Sequence, residues 1–243
     1  MKAVIGIDAG HGGSSSGTYS CNSTKDGLFE KDFALELAVL VEKHLLRNGF
    51  KVVMTRRTDI NPGNVSERAK ILAKEGTDFA LSIHFNGFGN QSANGTEVFV
   101  PYEETAAGIE TRLHGVLAKF FKIREPFARS NNLRSRNEIF DKKLNLGTKR
   151  FDAVSEKKDY FGFIRTCWES GISADLLEIC FLTNPKDFEK YSENKEKIAK
   201  GVAKSIVEAF GEKFISEETE EAFAKPKIFS VIKTNKKRKD MLN

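Results

Sequence analysis

Short apolar runs alternate with segments of helical period along most of this chain, and that alternation limits the fold more than any other feature. Residues 3–8 read as a buried strand. A helix follows from Phe29 to Arg47, with Phe33, Leu37, Leu40, Val41 and Leu45 recurring at helical spacing and Asn48-Gly49 supplying a left-handed stop. Residues 51–55 read as a second strand and 65–75 as a second helix, ended by Gly76. Residues 78–84 form a continuous apolar strand of the kind found at a sheet centre. A fourth strand is expected at 96–100, behind Gly95, and a helix at 104–122. Two more strands are expected at 160–166 and 174–181. Asn184-Pro185 then opens a helix running to about Phe210, with Gly211 behind it. Strands joined by helices predict an α/β protein built on one largely parallel sheet.

The 243 residues suit one large domain, placed at 1–212, with a charged C-terminal tail at 213–243. Residues 123–158 lack periodicity and read as a basic insertion. Charge is unevenly placed. Residues 225–243 carry seven Lys/Arg and one Asp, and residues 119–158 carry twelve Lys/Arg against five Asp/Glu, so the remainder is acidic. Basic segments on an acidic body suit a polyanionic partner. No apolar run approaches the roughly 20 residues of a membrane helix. Met1-Lys2 leads straight into a strand, so no export signal is read at the N-terminus. Cys21, Cys167 and Cys180 are an odd number without CxxC spacing, which speaks against a disulfide framework or a zinc knuckle. Cys180 shares strand parity with Glu178 but reads as a buried, inert thiol.

Only four histidines are present, and two of them close apolar runs: His11 in Asp8-Ala9-Gly10-His11-Gly12-Gly13, and His84 in Ser82-Ile83-His84-Phe85-Asn86. Ligands of open α/β sheets collect at the carboxyl ends of strands. Imidazole is the commonest metal-binding side chain. A hydrolytic zinc site needs about three protein ligands and one open position. Glu30, at the start of the first long helix, is the candidate third ligand, with Asp26 its rival. Its bland reading is an acid favoured in a helix's first turn. Glu178 stands alone among apolar neighbours in Leu176-Leu177-Glu178-Ile179-Cys180. A carboxylate there is costly without a purpose or a partner. It is either a general base or an ion-pair member with Arg68 or Arg165. His44 and His114 fall on expected helices and read as non-ligands. Asp8 and Asn86 read as residues that orient ligands, and Arg68 as a scaffold ion pair.

In chain order, Asp8-Ala9-Gly10-His11-Gly12-Gly13, Glu30-Lys31-Asp32, Arg68, Ser82-Ile83-His84-Phe85-Asn86, Gly95-Thr96-Glu97-Val98 and Leu177-Glu178-Ile179-Cys180-Phe181-Leu182-Thr183-Asn184 resemble the zinc-dependent N-acetylmuramoyl-L-alanine amidases of the amidase_3 group, which includes bacterial cell-wall amidases and phage endolysins. The resemblance covers about residues 3–212. It implies a single twisted sheet flanked by helices with a zinc site at its C-terminal edge. It also implies one Zn²⁺ bound by His11, Glu30 and His84, and Glu178 as the catalytic glutamate. The implied reaction is hydrolysis of the amide between N-acetylmuramic acid and L-alanine of peptidoglycan stem peptides. The rival readings are a non-catalytic wall-binding module that keeps the fold, and a zinc peptidase acting on stem peptides. Peptidoglycan is the expected partner, with anionic wall polymers attracted to residues 123–158 and 225–243. Nucleic acid is not the expected partner, although Lys236-Lys237-Arg238-Lys239 has that composition. A monomer is expected. The absent signal points to a lysin made in the cytoplasm and acting on the wall, the other version being the mature form of an exported enzyme.

Overall fold

A computed structural model describes residues 2–22, 27–101, 108–124, 134–135 and 161–217. Its elements are β1 (Val4–Ala9), α1 (Glu30–Arg47), β2 (Lys51–Met54), α2 (Val65–Lys74), β3 (Phe79–Asn86), β4 (Glu97–Val100), α3 (Ile109–Leu117), β5 (Arg134–Ser135), α4 (Gly162–Glu169), β6 (Ser173–Phe181) and α5 (Pro185–Ala209). The strands form one sheet in the order β2-β1-β3-β6-β4-β5. β2, β1, β3 and β6 run parallel, whereas β4 joins β6 antiparallel and carries β5 parallel to itself. The expected parallel α/β sheet is therefore present, with a reversed margin.

Local chemistry explains where the helices begin. Asp32 reaches back to accept from the Phe29 amide at 2.9 Å, closing the start of α1. Asn64 accepts from Ser66 and Glu67 amides, and Glu67 returns a bond to the Asn64 amide, a capping box for α2. Asn184 caps α5, and Pro185 occupies its first turn, where the missing N–H costs nothing.

Both faces of the sheet are covered. Leu37, Val41 and Leu45 of α1, Leu113 and Leu117 of α3, and Ile198, Val202 and Ile206 of α5 pack with Ile5, Ile7, Leu81, Ile83, Leu177 and Ile179 in the larger core. On the other face Ala69 and Leu72 of α2 and Phe163 and Cys167 of α4 cover Val53, Ala80 and Ala174. Burial on both sides accounts for the uninterrupted apolar reading of β1, β3 and β6.

Of the strand expected at 160–166, the described residues 161–166 are not a strand. Residues 162–169 form α4, because Phe163 and Cys167 bury against α2 and β6 and Ile164 against Phe99 and Leu176, while Trp168 and Glu169 are exposed. The aromatic and β-branched content of the run mimics a strand, but its burial has helical period. Within the expected insertion at 123–158, β5 supplies one short strand beside β4. Most of that insertion, and the basic tail at 225–243, lie outside the described residues. The chain also stays packed past residue 212. Phe214 joins the larger core, and Ile215 and Glu217 bond to Asn48 and Arg47 at the end of α1. Among the described residues no helix is long and apolar enough to cross a membrane.

Candidate metal centre and its cleft

β1, β3 and β6 end side by side, and the polar residues singled out in the sequence gather at that edge. His11 follows β1 at φ +58°, a left-handed backbone unusual for a side chain of its size. The turn continues through Gly12 and Gly13, also at positive φ, and is closed by paired Gly12–Ser15 backbone bonds of 2.8 and 3.1 Å. This turn places Ser15 Oγ 3.1 Å from His11 Nδ1, leaving Nε2 directed at Glu30 Oε2, 3.2 Å away. A partner on one imidazole nitrogen fixes how the other is presented.

Glu30 is 4% exposed and has both carboxylate oxygens engaged. Oε1 accepts from the Phe85 amide at 3.0 Å and lies 2.9 Å from His84 Nδ1; Oε2 accepts from the Thr18 amide at 3.0 Å. His84, on β3, lays its ring over Gly10, where an added Cβ would fall 2.5 Å from the nearest ring atom. The two imidazoles stand edge to face with centroids 5.0 Å apart. One ligand atom from each of His11, Glu30 and His84 lies within 4.8 Å of the other two.

Electrostatics at this trio favours a cation. Burial alone would raise the Glu30 carboxyl, but hydrogen bonds and charge from His11 and His84 outweigh it and hold the group well below the carboxylate range. Burial alone would lower His84, but the bond to Glu30, with the charges of Glu30, Glu178 and Asp8, pushes it up to about 9. A field that retains a proton there will also attract a metal ion, and two imidazoles with a carboxylate are a donor set that can hold one.

Glu178 is the Cα register partner of His84 across β3 and β6, just before the register shifts between His84 and Asn86. It is half-buried and lines a cleft of about 550 Å³ together with His11, His84, Asp8 and Arg68. Val65, Phe161, Phe163 and Leu176 supply the apolar part of its lining, and Ser15, Asn61 and Asn64 add further polar groups.

The amidase_3 family, described as N-acetylmuramoyl-L-alanine amidase, matches residues 5–208. The chain belongs to this family. It is 26% identical over 234 residues to the N-acetylmuramoyl-L-alanine amidase AmiA of Escherichia coli (strain K12), covering 86% of this chain and 76% of AmiA. The germination-specific N-acetylmuramoyl-L-alanine amidase of Bacillus subtilis (strain 168) is 25% identical over 225 residues, covering 86% of this chain and 81% of that one. Among solved structures, the catalytic domain of the amidase CwlV from Bacillus (Paenibacillus) polymyxa var. colistinus superimposes with a TM-score of 0.65 at 28% identity, covering 87% of this chain and all of that domain, 100%.

Around the trio the supporting residues divide differently from the sequence reading. Asp8 touches neither imidazole by hydrogen bond. It is buried and accepts from Thr55 at 2.7 Å, Ser82 at 2.7 Å and Arg68 at 3.0 Å. Burial would raise its carboxyl, yet Arg68, His84 and the two hydroxyls bring it below its ordinary value. Arg68 does more than pair with Asp8. It also donates to the carbonyls of Ala9 at 3.0 Å and His11 at 2.6 Å, pinning the left-handed residue. Asn86 donates to Glu97 Oε2 at 2.9 Å rather than to a ligand, and Glu97 is the antiparallel register partner of Glu178. Sequence reasoning missed Ser15 and Arg56. Arg56 ties the ligand loop to α1 through the carbonyls of Ala9, Gly10 and Lys31 at 2.9, 2.8 and 2.7 Å. His44 and His114 lie on α1 and α3 outside the trio. Asp26 lies outside the described residues. Cys180 is fully buried, and burial raises its thiol well above the ordinary value, as expected of an inert core thiol.

Proposed function

We propose that this chain is a zinc hydrolase of peptidoglycan that cleaves the amide joining the lactyl carbonyl of N-acetylmuramic acid to L-alanine of the stem peptide. One zinc ion is held by His11, Glu30 and His84, and Glu178 is the base. The observation that carries the reading is the convergence of three ligand atoms within 4.8 Å beside a half-buried glutamate in register with His84. Bound there, zinc supplies Lewis acidity that polarises the scissile carbonyl and acidifies water.

The protein's own residues then account for the rest. Ser15 and Phe85, through His11 Nδ1 and Glu30 Oε1, fix two of the ligands in place before substrate arrives. Glu178 faces the cleft, takes a proton from the attacking water and delivers it to the departing alanine nitrogen. The lactyl group is left as a carboxylate and the stem with a free amine. Val65, Phe161, Phe163 and Leu176 lend the cleft an apolar lining that excludes water, which strengthens charge interactions inside it. Basic residues in 123–158 and 225–243 draw the enzyme to anionic wall polymers, and the wall is the place of action.

The deciding experiment is Glu178→Ala assayed on purified sacculi, with products read by mass spectrometry. The expected result is free L-alanine amino ends on intact stems for the parent chain and a loss of at least about 100-fold in the variant, with zinc content retained. Wild-type turnover in Glu178→Ala removes the base assignment. Cleavage within the stem instead would turn the reading into a peptidase.

A further inference from the structure

The cleft opens beside α2 and α4, but the rim over the opposite side of the sheet is built differently, and the proposed reaction does not use it. The loop from Gly87 to Thr96 contains no charged residue, in a chain that is 30% charged, and neither does Thr18-Tyr19-Ser20. Two aromatic side chains stand out from this neutral rim: Phe88 is 62% exposed and Tyr19 45% exposed. They follow residues that touch each other, since a Cβ on Gly87 would fall 1.8 Å from Thr18 Oγ1. Thr18 is in turn the residue whose amide bonds the ligand Glu30. The rim is therefore continuous with the metal centre.

It is also held in shape. The Phe88 amide donates to Thr183 Oγ1 at 3.1 Å, Asn184 Nδ2 donates to the Gln91 carbonyl at 2.7 Å, and the Ser92 amide donates to Asn90 Oδ1 at 2.9 Å. A pinned loop that exposes phenylalanine to water loses hydrophobic stabilisation for no gain in the core. Such a surface becomes favourable when a partner with an apolar face covers it. The side chain of Gln91 stays exposed on the same loop.

We infer that Tyr19 and Phe88 form an aromatic platform for the glycan strand of the wall polymer, with the exposed side-chain amide of Gln91 bonding to hydroxyl and N-acetyl groups. The inference rests on the peptidoglycan reading above and adds where the sugars lie. A sugar ring offers an apolar C–H face and a polar edge, the combination that an aromatic ring and neighbouring amides match. Within Thr18–Ser20 and Gly87–Thr96 no side chain carries a charge that would attract a charged peptide. The stem instead enters the cleft lined by Val65, Phe161 and Leu176. Because the loop is already ordered by its own hydrogen bonds, little conformational freedom is lost on binding.

The test uses the β-1,4-linked N-acetylglucosamine tetramer, an uncharged glycan with no scissile amide, titrated into the full chain and followed by NMR. Shifts centred on the loop at 87–95 and on Tyr19 are expected. Phe88→Ala and Tyr19→Ala should each weaken binding about tenfold. Phe210→Ala, at the opposite edge of the sheet, should leave it unchanged. No shifts in the loop, an unaltered affinity in Phe88→Ala, or an equal loss in Phe210→Ala overturns the platform. Glycan binding at the loop without amidase turnover on sacculi would remove the hydrolase reading and leave the platform standing. Turnover without glycan binding would do the reverse.

Discussion

Gly10→Ala tests the metal centre without touching a ligand. Gly10 lies outside the left-handed region, so alanine costs its backbone little. Its Cβ, however, would sit 2.5, 2.7 and 2.7 Å from three ring atoms of His84, where ordinary contact begins at 3.4 Å. The ring must retreat by roughly 0.8 Å, several times the ~0.2 Å by which ligand distances vary in metal sites. The retreat also breaks the 2.9 Å contact between His84 and Glu30. The expected loss in zinc affinity is at least about 100-fold, equivalent to about 2.7 kcal/mol. Overpacking should also cost the metal-free protein about 1–3 kcal/mol. Zinc affinity is read by competition with a chromophoric chelator, and stability by urea denaturation after chelation. The His84→Ala background supplies the control, because the three atoms nearest the added methyl all belong to that ring and most of the cost should go with it. Zinc binding in Gly10→Ala that matches the parent chain would refute the argument, since it would mean that His84 is not held against Gly10 as a ligand.

Four other outcomes follow from the geometry. His84, raised to about 9, carries a proton near neutrality in the metal-free protein, whereas Glu30, lowered, is already ionised. Zinc binding should therefore release about one proton, and its apparent affinity should climb about tenfold per pH unit until about pH 9. Calorimetry in buffers of contrasting ionisation heat measures this, and buffer-independent heats would contradict it. In the same metal-free protein the stability supplied by His84 is complete below its ordinary value of 6.5 and is lost as pH rises through about 9. Glu110 is a buried carboxyl whose Oε1 has no hydrogen-bond partner among the described residues, and burial raises it. It therefore favours folding below its ordinary value of 4.5 and opposes it as pH rises. Glu110→Gln should stabilise the protein by about 1 kcal/mol at neutral pH and by less in mild acid, as judged by urea melts. Arg68→Ala leaves Asp8 buried without its counter-charge and frees the His11 carbonyl, so a loss of about 3–5 kcal/mol is expected, which Arg68→Lys should restore only in part. A shift in the urea midpoint no larger than that of a surface substitution would contradict this role.

What the sequence disclosed and what it withheld have one physical origin, which is contrast. β1, β3 and β6 are covered on both faces, so a polar residue that ends or interrupts one of them stands out. His84 and Glu178 drew attention for that reason, His11 and Glu30 by looking along the chain from the same edge, and the structure brings the four to one place. The short helix α4 was misread because eight residues with Phe161, Phe163 and Ile164 near its start carry more strand-like composition than helical period. The reversed direction of β4 and the two residues of β5 leave no mark on periodicity, because alternation records burial and not strand direction. The residues that hold the site together were hidden for the opposite reason. Ser15 and Arg56 sit in polar loops, where one more serine or arginine offers no contrast, and their partners are carbonyls and ring nitrogens that no sequence pattern marks. Asp8 and Asn86 were visible as polar residues, but their partners were not, and the partners decide what they do. The glycines make the same point from the side of space. Gly10 and Gly87 look alike in the sequence, yet one makes room for the imidazole of His84 and the other for the loop that carries Thr18. A glycine's role is set by the side chain laid over it, so it becomes readable only once the sheet has brought that side chain there.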